Sequence, residues 1–159
     1  MSGEGSPTIT IKPGSAHGLR VAIVVSEWNR DITNELASQA RQAGETAGAE
    51  VTVIPVVGAL EIPVVVKKAT KTHDAVVALG CVIQGGTPHF DHVCNAVTYG
   101  LTKIAVETET PVGNGVLTCN THEQAVDRAG GPSAHENKGA EAMIAAIHTA
   151  QTLQSMATD

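Results

Sequence analysis

Aromatic side chains are almost absent from this sequence of 159 residues, since Trp28, Phe90 and Tyr99 are the only three. A core built on stacked rings is therefore excluded. Hydrophobic residues nevertheless make up 42% of the chain, which is enough for the core of one domain of this length. We accordingly predict a core that consists of valine, isoleucine, leucine and alanine.

Long apolar runs and clusters of basic residues are also lacking. No segment approaches the roughly 20 apolar residues of a membrane span, and the first residues lack the apolar region of a signal peptide. Lysine and arginine number 10 against 16 acidic residues, which gives a formal net charge of -6. This balance argues against nucleic acid and anionic membranes as partners. The expected location is the cytoplasm.

Cysteine is scarce as well. Cys81, Cys94 and Cys119 are odd in number, widely spaced and set in apolar segments. Neither a disulfide framework nor a redox pair fits this spacing, so we expect reduced, buried thiols. A dinucleotide-binding glycine fingerprint and a nucleophile elbow are missing too.

The sequence does contain a regular alternation of strand-like and helix-like segments. Residues 1–18 are rich in glycine, serine and proline, and are predicted to form a flexible tail. In residues 19–159, apolar runs predict strands at 19–26, 50–56, 75–83 and 112–119, with helices between them. This order predicts a single α/β domain with a doubly wound, flavodoxin-like, four-stranded parallel sheet and helices on both faces.

Helix boundaries are predicted from capping residues. Asp31 is expected to cap the first helix, and Thr121 the fourth. Thr87 is expected to cap the third helix, with Pro88 as its first residue. The last helix is expected to begin near Glu136. The residues that it should bury are Ala140, Met143, Ile144 and Ile147.

The turn after the third strand carries the strongest functional signal. Gly85 and Gly86 let the backbone approach a ligand closely, and a helix that begins there points free N–H groups at it. This arrangement suits a phosphate group. His89 adds an imidazole, which suits proton transfer at neutral pH, so the turn predicts an enzyme. His92 lies on the same face, but further metal ligands are not evident, and we expect no metal site.

Two more turns are expected at the carboxyl ends of the strands, where ligands bind in sheets of this kind. The indole of Trp28 either packs over the end of the sheet or stacks on a flat ligand. Glu61 either complements a helix dipole or accepts hydrogen bonds from a hydroxylated ligand. The convergence of the turns favours the ligand-binding role for Glu61 and leaves both roles open for Trp28.

Asn114, Arg128 and Lys138 are predicted at the opposite edge of the sheet from His89. Solvent exposure alone is a sufficient explanation for Arg128 and for Lys138. Within one chain they could not easily reach His89, so a neighbouring copy would have to supply them to a common site.

Five segments together resemble the lumazine synthase family of riboflavin biosynthesis. They are GALEIP at 58–63, GGTPHFD at 85–91, NGVLT at 114–118, DRAG at 127–130 and NKG at 137–139. Each segment is weak alone, but five in this order and spacing are highly specific. The similarity extends from Val21 to the last helix.

The resemblance implies a transferase without a metal or organic cofactor. Its reaction would condense 5-amino-6-(D-ribitylamino)uracil with 3,4-dihydroxy-2-butanone 4-phosphate to give 6,7-dimethyl-8-ribityllumazine, phosphate and water. The partners that it implies are these small-molecule substrates, riboflavin synthase as a functionally linked enzyme, and further copies of the chain in a homopentamer.

The resemblance also implies site residues by matching position. The pyrimidine and its ribityl chain would contact Trp28, Ala59, Leu60, Glu61, Cys81, Val82 and Ile83. Gly86 and Thr87 would bind the phosphate with Arg128 from the adjacent subunit, which would also supply Asn114 and Lys138. The imidazole of His89 would transfer protons.

Icosahedral cages in the family are linked to a short turn between the last two helices. Here the turn between Arg128 and Lys138 is longer and contains Pro132. We therefore predict a free pentamer or a pair of pentamers, with a strand near Ile9 added to a neighbour's sheet.

Two positions depart from many relatives. Gln84 replaces a basic residue, which weakens the attraction of phosphate, and Asn114 replaces an aromatic one, which leaves Trp28 as the main stacking surface. The rival functions are a non-catalytic flavin- or phosphate-binding module, an aldolase with Lys138 as a Schiff base, and a structural shell protein. The imidazole of His89 argues against the first, and the polar surroundings of Lys138 argue against the second.

Overall fold

The computed structural model describes residues 4–157, which form four β-strands, five α-helices and one short 3-10 turn at Ala59–Glu61. In chain order the elements are β1 (Arg20–Ser26), α1 (Arg30–Thr46), β2 (Glu50–Val56), α2 (Ile62–Ala69), β3 (Ala75–Ile83), α3 (His89–Thr108), β4 (Val112–Cys119), α4 (His122–Val126) and α5 (Lys138–Ala157). The described part of the tail, residues 4–18, has turns and extended backbone but no strand. None of the helices in residues 4–157 is long and apolar enough to cross a membrane.

The strands form one parallel sheet in the order β2-β1-β3-β4. The interior strands β1 and β3 are buried along nearly their whole length, whereas the residues of the edge strand β2 are all exposed or partly buried. Continuous burial of the interior strands is typical of a parallel sheet covered by helices on both faces. The predicted doubly wound α/β fold is confirmed.

Two aliphatic layers cover the faces of the sheet. Val21 and Ile23 of β1 point into a layer with α1 and α5, while Ala22 and Val24 point into the opposite layer with α2 and α3. Because side chains alternate along a strand, one apolar run serves both layers. Among the described residues, no aromatic side chain belongs to either buried cluster, so the predicted aliphatic core is confirmed.

The start of α1 differs from the prediction. The helix begins at Arg30, and the residue before it, Asn29, takes the capping position with φ 56°. Asp31 is therefore not the cap but an acidic residue in the first turn, where it still complements the helix dipole. The chain turns at Asn29 because its side chain donates a hydrogen bond to the carbonyl of Cys81 in β3.

The start of α3 is shifted by one residue. The helix begins at His89, with Pro88 at the capping position and already at a helical φ of -63°. Thr87 is wrong as the cap, although its hydroxyl accepts a long bond of 3.4 Å from the amide of His89. Thr121 is confirmed as the cap of α4, since its hydroxyl accepts from the amide of Gln124 at 3.3 Å.

The last helix begins at Lys138, two residues later than predicted, because Asn137 caps it through a 3.1 Å bond from the amide of Ala140 to its side-chain oxygen. The buried residues of α5 are Gly139, Ala142, Met143, Ala146, Ile147 and Ala150. Ala140 and Ile144, predicted to be buried, are only partly so. The buried face differs because α5 packs against α1 as well as against the sheet.

Two glycines allow α5 to lie close to its neighbours. A Cβ atom at Gly139 would overlap the carbonyl oxygen of Leu36 in α1, and one at Gly113 in β4 would overlap the carbonyl oxygen of Ala142 in α5. In both places the missing side chain lets backbone rest on backbone. The position of α5 therefore requires glycine at both positions.

We expect Gly139→Ala to lower the free energy of unfolding by about 1–3 kcal/mol, because the added methyl group must push α1 and α5 apart. Urea unfolding at one fixed protein concentration measures the change. Gly131→Ala is the matched control, since a Cβ there would meet only the Glu35 side chain at an ordinary 3.7 Å. Equal effects of the two substitutions would contradict this account of the packing.

Candidate active site

A cleft of about 530 Å³ opens at the carboxyl ends of β1, β2 and β3. The three turns that were predicted to converge supply most of its walls. Of the predicted site residues, those that line it are Trp28, Ala59, Leu60, Glu61, Cys81, Val82, Ile83, Thr87 and His89. The lining also includes Asn29, Gly58 and Phe90, which the prediction of site residues omitted.

Trp28 lies at the turn between β1 and α1, and 68% of its surface is exposed. An indole of this size left open beside a cleft is a ready surface for a flat ligand. The turn is attached to β2, because the amide of Glu27 donates to the carbonyl of Val56 at 2.9 Å. It is attached to β3 through the side chain of Asn29, which donates to the carbonyl of Cys81 at 3.0 Å.

Gly58 lies between the carboxylate and the indole. A Cβ atom at this position would come within 2.9 Å of the Glu61 carboxylate and 3.3 Å of the Trp28 ring. The missing side chain therefore lets an acceptor and an apolar ring face the same small volume. A ligand with a flat ring and hydroxyl groups would match this pair.

Cys81 belongs to the floor of the cleft, at the end of β3. Burial raises the pKa of the Cys81 thiol to about 12, and the neighbouring Cys119 and Asp31 act in the same direction. The thiol is therefore neutral and a poor nucleophile at physiological pH. What this segment offers a ligand is backbone polar groups at the open end of the strand.

The N-terminus of α3 forms the far wall. Gly85, Thr87 and His89 line the cleft there, while Gly86 lies in the same exposed loop but does not line it. The first N–H groups of a helix have no intrahelical acceptors, and the positive end of the dipole lies with them. An anion bound at this wall would lie beside the imidazole of His89.

The charge of the cleft is unfavourable for a bound anion. Among the residues that line it there is no lysine or arginine, and the only full charge is the carboxylate of Glu61. Asp91 adds a further acidic group in the first turn of α3. A phosphorylated ligand would therefore need a cation from outside this set.

The other three predicted residues lie elsewhere. Asn114, Arg128 and Lys138 line a groove of about 1080 Å³ that follows the free edge of β4 and is closed on one side by residues 4–9 of the tail. Among the described residues, none lines both this groove and the cleft.

The groove corrects the predicted position of Arg128 and Lys138. Arg128 lies near the carboxyl end of β4 and not at its amino end, since its charge acts on the thiol of Cys119, the last residue of the strand. Lys138 lies beside Arg128, because its amide donates to the Arg128 carbonyl at 3.0 Å. The reason is the length of α4, whose five residues span about 7.5 Å. So short a helix cannot carry the chain back across the sheet.

The turn between α4 and α5 is well ordered by hydrogen bonds. The carbonyl of Asp127 accepts from the amides of His135 and Glu136, and the carbonyl of Arg128 accepts from the amide of Lys138 at 3.0 Å. The carboxylate of Asp127 also pairs with the imidazole of His135. The turn therefore holds the backbone of Arg128 in place at the groove.

The two cations in the groove differ in what they contact. The ammonium of Lys138 lies 2.8 Å from carboxylate oxygens of both Glu136 and Glu141. Burial lowers the pKa of Lys138, but the two carboxylates outweigh it and the net direction is upward. A lysine held protonated in this way is a poor Schiff-base amine, which argues against the aldolase alternative.

The guanidinium of Arg128 donates to the backbone carbonyl of Gln124 at 2.9 Å. Within residues 4–157 it forms no salt bridge, and it is partly exposed. Arg128 is thus the cation of the groove with the most capacity left to bind an external anion.

Fold and cleft together define the class of protein. A parallel sheet with a cleft at its carboxyl ends, walled by an exposed indole, a carboxylate, a helix N-terminus and an imidazole, is typical of an α/β enzyme that acts on small molecules. Residues 4–157 contain no group of histidine, cysteine or acidic residues that could hold a metal ion.

Comparison with known proteins narrows the class to one family. The family model of 6,7-dimethyl-8-ribityllumazine synthase matches residues 18–154, so the chain belongs to this family. A protein of that name from Corynebacterium kroppenstedtii is 95% identical over 159 residues, all of both chains. Proteins of the same name from Corynebacterium efficiens and Thermobifida fusca are 58% and 52% identical, and the matches cover 100% and 98% of this chain and 99% and 91% of theirs.

The Asp127–His135 pair predicts a measurable pH dependence in the turn beside Arg128. The hydrogen bond and charge of Asp127 raise the pKa of His135, and the bond from His135 lowers the pKa of Asp127. The contribution of His135 is complete below the usual imidazole value of about 6.5 and is lost as the pH rises through its raised pKa. The contribution of Asp127 is complete above about 3.9 and is lost as the pH falls through its lowered pKa.

An NMR titration of the imidazole signals tests this pair. We expect His135 to titrate above pH 6.5 in the native protein and to return toward that usual value in Asp127→Asn. A midpoint of His135 that the substitution does not move would disprove the pairing.

Proposed function

We propose that the chain performs the lumazine synthase condensation in the Trp28–His89 cleft, with the Arg128 groove of a second copy placed against it. The substrates are 5-amino-6-(D-ribitylamino)uracil and 3,4-dihydroxy-2-butanone 4-phosphate, and the products are 6,7-dimethyl-8-ribityllumazine, phosphate and water. The observation that carries the proposal is that the required groups lie on two separate surfaces of the chain. Trp28, Glu61 and His89 line the cleft, while Arg128 lines the groove at the free edge of β4.

The pyrimidine is proposed to lie between Trp28 and the floor of the cleft. Its flat ring would stack on the exposed indole, and its polar edge would meet the backbone of Cys81, Val82 and Ile83. The ribityl hydroxyls would then reach the 3-10 turn of Ala59, Leu60 and Glu61, where the carboxylate accepts their hydrogen bonds. This orientation is supported by the exposed indole of Trp28 and by the short distance between that indole and the Glu61 carboxylate across Gly58.

The phosphate is proposed to bind the loop of Gly86 and Thr87 at the N-terminus of α3. Helix dipole and free amides favour an anion there, but Glu61 and Asp91 oppose it and the cleft offers no cation of its own. A guanidinium from a neighbour removes this conflict, because arginine binds phosphate through two parallel hydrogen bonds. Asn114 and Lys138 of the same neighbour would border the shared site.

The chemistry needs orientation and proton transfer more than a strong nucleophile. The primary amine of the pyrimidine adds to the ketone and loses water to give an imine, and phosphate then leaves. The departure of phosphate takes with it a proton from the neighbouring carbon and leaves an enol, which tautomerises to a new carbonyl. The second nitrogen closes on this new carbonyl, with loss of another water. His89, beside the proposed phosphate position, is the group proposed to carry protons between these steps.

The proposed assembly is a ring in which each cleft meets the β4 edge of the next copy, and five copies close it. The ordered turn of residues 127–137, which contains Pro132, supports a free pentamer or a pair of pentamers over a larger cage. The three free cysteines, Cys81, Cys94 and Cys119, support the cytoplasm as its location. Since the product still has to become riboflavin, riboflavin synthase is the proposed functional partner.

Replacing His89 tests the proton-transfer role. We expect His89→Ala to fold and assemble normally and to lose about 10- to 1,000-fold in turnover, with some activity left because holding the reactants together also drives the reaction. The fluorescence of the lumazine product measures the rate. His92→Ala, an exposed histidine one turn further along α3, is the control and should retain the native rate. An unchanged rate in His89→Ala would exclude this residue from proton transfer and leave the orientation of the two reactants as the source of catalysis.

Replacing Arg128 tests the shared site. We expect Arg128→Ala to raise the KM for the phosphorylated ketone by about 10- to 100-fold, as the loss of a charged hydrogen-bond pair implies, and to leave the KM for the pyrimidine nearly unchanged. Arg41→Ala, which removes an exposed arginine paired with Glu45 on α1, is the control.

Mixing the two variant proteins distinguishes an active site shared between neighbouring chains from a site within one chain. In rings assembled from equal amounts of Arg128→Ala and His89→Ala chains, about a quarter of the sites should be intact, because each site takes one residue from each of two neighbours. Light scattering should first show a mass of five or ten chains. Mixed rings without recovered activity would contradict sharing, and a monomer would contradict the assembly itself.

A further inference from the structure

Asn29 is the one residue of the cleft whose backbone and side chain are both constrained by a specific requirement. Its backbone is left-handed, with φ 56° and ψ 57°, a conformation that asparagine tolerates and most other residues avoid. Its carbonyl begins α1 by accepting from the amides of Ile32 and Thr33 at 2.9 and 3.0 Å. Its side chain makes no capping bond to the helix.

The side chain instead reaches the neighbouring strand. The last registered pair between β1 and β3 is Val25 with Leu79, so Cys81 lies two residues beyond the end of that ladder. The amide of Asn29 donates to the Cys81 carbonyl at 3.0 Å in a partly buried position. It thereby supplies a hydrogen bond at the point where β1 can no longer give one.

This bond connects the two surfaces between which a flat ligand would lie. Trp28 precedes Asn29 and is largely exposed, so little packing holds the indole itself. Cys81 belongs to the floor of the cleft. The distance from ring to floor is therefore set by the backbone of the turn, and Asn29 is its connection to β3.

We propose that Asn29 is a positioning residue, which fixes the Trp28 indole over the floor at Cys81 and so sets the affinity for the pyrimidine substrate. The proposal rests on the proposed function in assuming that the pyrimidine stacks on Trp28. Asparagine meets both requirements, since it tolerates the left-handed backbone and its side-chain amide is a donor. Glycine tolerates the left-handed backbone but has no donor, and aspartate has the right size but presents an acceptor to a carbonyl.

Two variants separate the requirements. Asn29→Gly keeps the left-handed turn free of strain and removes the donor, while Asn29→Asp keeps the side-chain shape and replaces the donor by a carboxylate. We expect both to raise the KM for the pyrimidine by about 3- to 10-fold, the range implied by one hydrogen bond, with the KM for the phosphorylated ketone and kcat changed less than twofold. Arg30→Gln is the matched control, because it breaks the exposed 3.0 Å pair with Glu27 in the same turn.

A second readout is independent of catalysis. Trp28 is the only tryptophan of the chain, so time-resolved fluorescence anisotropy of the assembled protein without substrate reports the motion of this one ring. We expect the fast component of the decay to gain amplitude in Asn29→Gly and Asn29→Asp and to be unchanged in Arg30→Gln. Circular dichroism and the melting temperature show that each variant is folded.

The outcomes separate this inference from the proposed function. An indole as rigid in both variants as in the native protein would overturn the inference, whatever the kinetics. A mobile indole with an unchanged KM for the pyrimidine would overturn it as well. In that case Trp28→Ala identifies the cause: an unchanged KM there would show that the stacking role in the proposed function has failed.

Discussion

Almost every feature of this molecule depends on the burial of β3 at the centre of the sheet. Its residues from Ala75 to Cys81 are buried, and it bonds to β1 on one side and to β4 on the other. A strand enclosed in this way has no freedom to shift its register, because a slip of one residue would exchange the two faces of the sheet. The cleft lies where this strand reaches solvent, and so inherits a rigid floor.

Small residues determine how the rest of the chain packs around β3. Within residues 4–157 neither buried cluster contains an aromatic ring, and many of the residues in them are alanine or valine. At Gly113 and Gly139 the approach is so close that backbone touches backbone. This packing brings the start of α5, and with it Lys138, to the edge of β4. The groove at that edge, where Arg128 and Lys138 lie, is thus a product of core packing.

The sequence predicted most of the fold, because unbroken apolar runs bounded by Gly, Asp or Pro are strong signals for buried parallel strands. Predictions from local capping preferences were wrong where a contact between residues distant in sequence determines the start of a helix. Asp31 and Asn29 are equally good caps on helix statistics alone, and the bond from Asn29 to a carbonyl 52 residues away fixes the start of α1. Of the nine predicted cleft residues, Trp28, Glu61 and His89 already followed from the converging turns, and the others followed from the resemblance to the family. Asn29 gave only a weak signal, a polar residue next to the indole. Arg128 was placed at the wrong end of β4 because sequence patterns locate α4 but do not show how little of the sheet so short a helix spans.

The separation of the cationic groove from the cleft has a consequence for the kinetics of the proposed shared site. A folded chain alone would present a pyrimidine surface and a proton-transfer group, but its acidic residues would repel a phosphorylated partner. On dilution, activity would therefore fall more steeply than the protein concentration, since only chains that contact a neighbour have a complete site. Newly made or damaged subunits would remain catalytically silent until they join a ring. Assembly would then act as a form of quality control, because the phosphorylated ketone is engaged only where the cleft of one copy meets the arginine of the next.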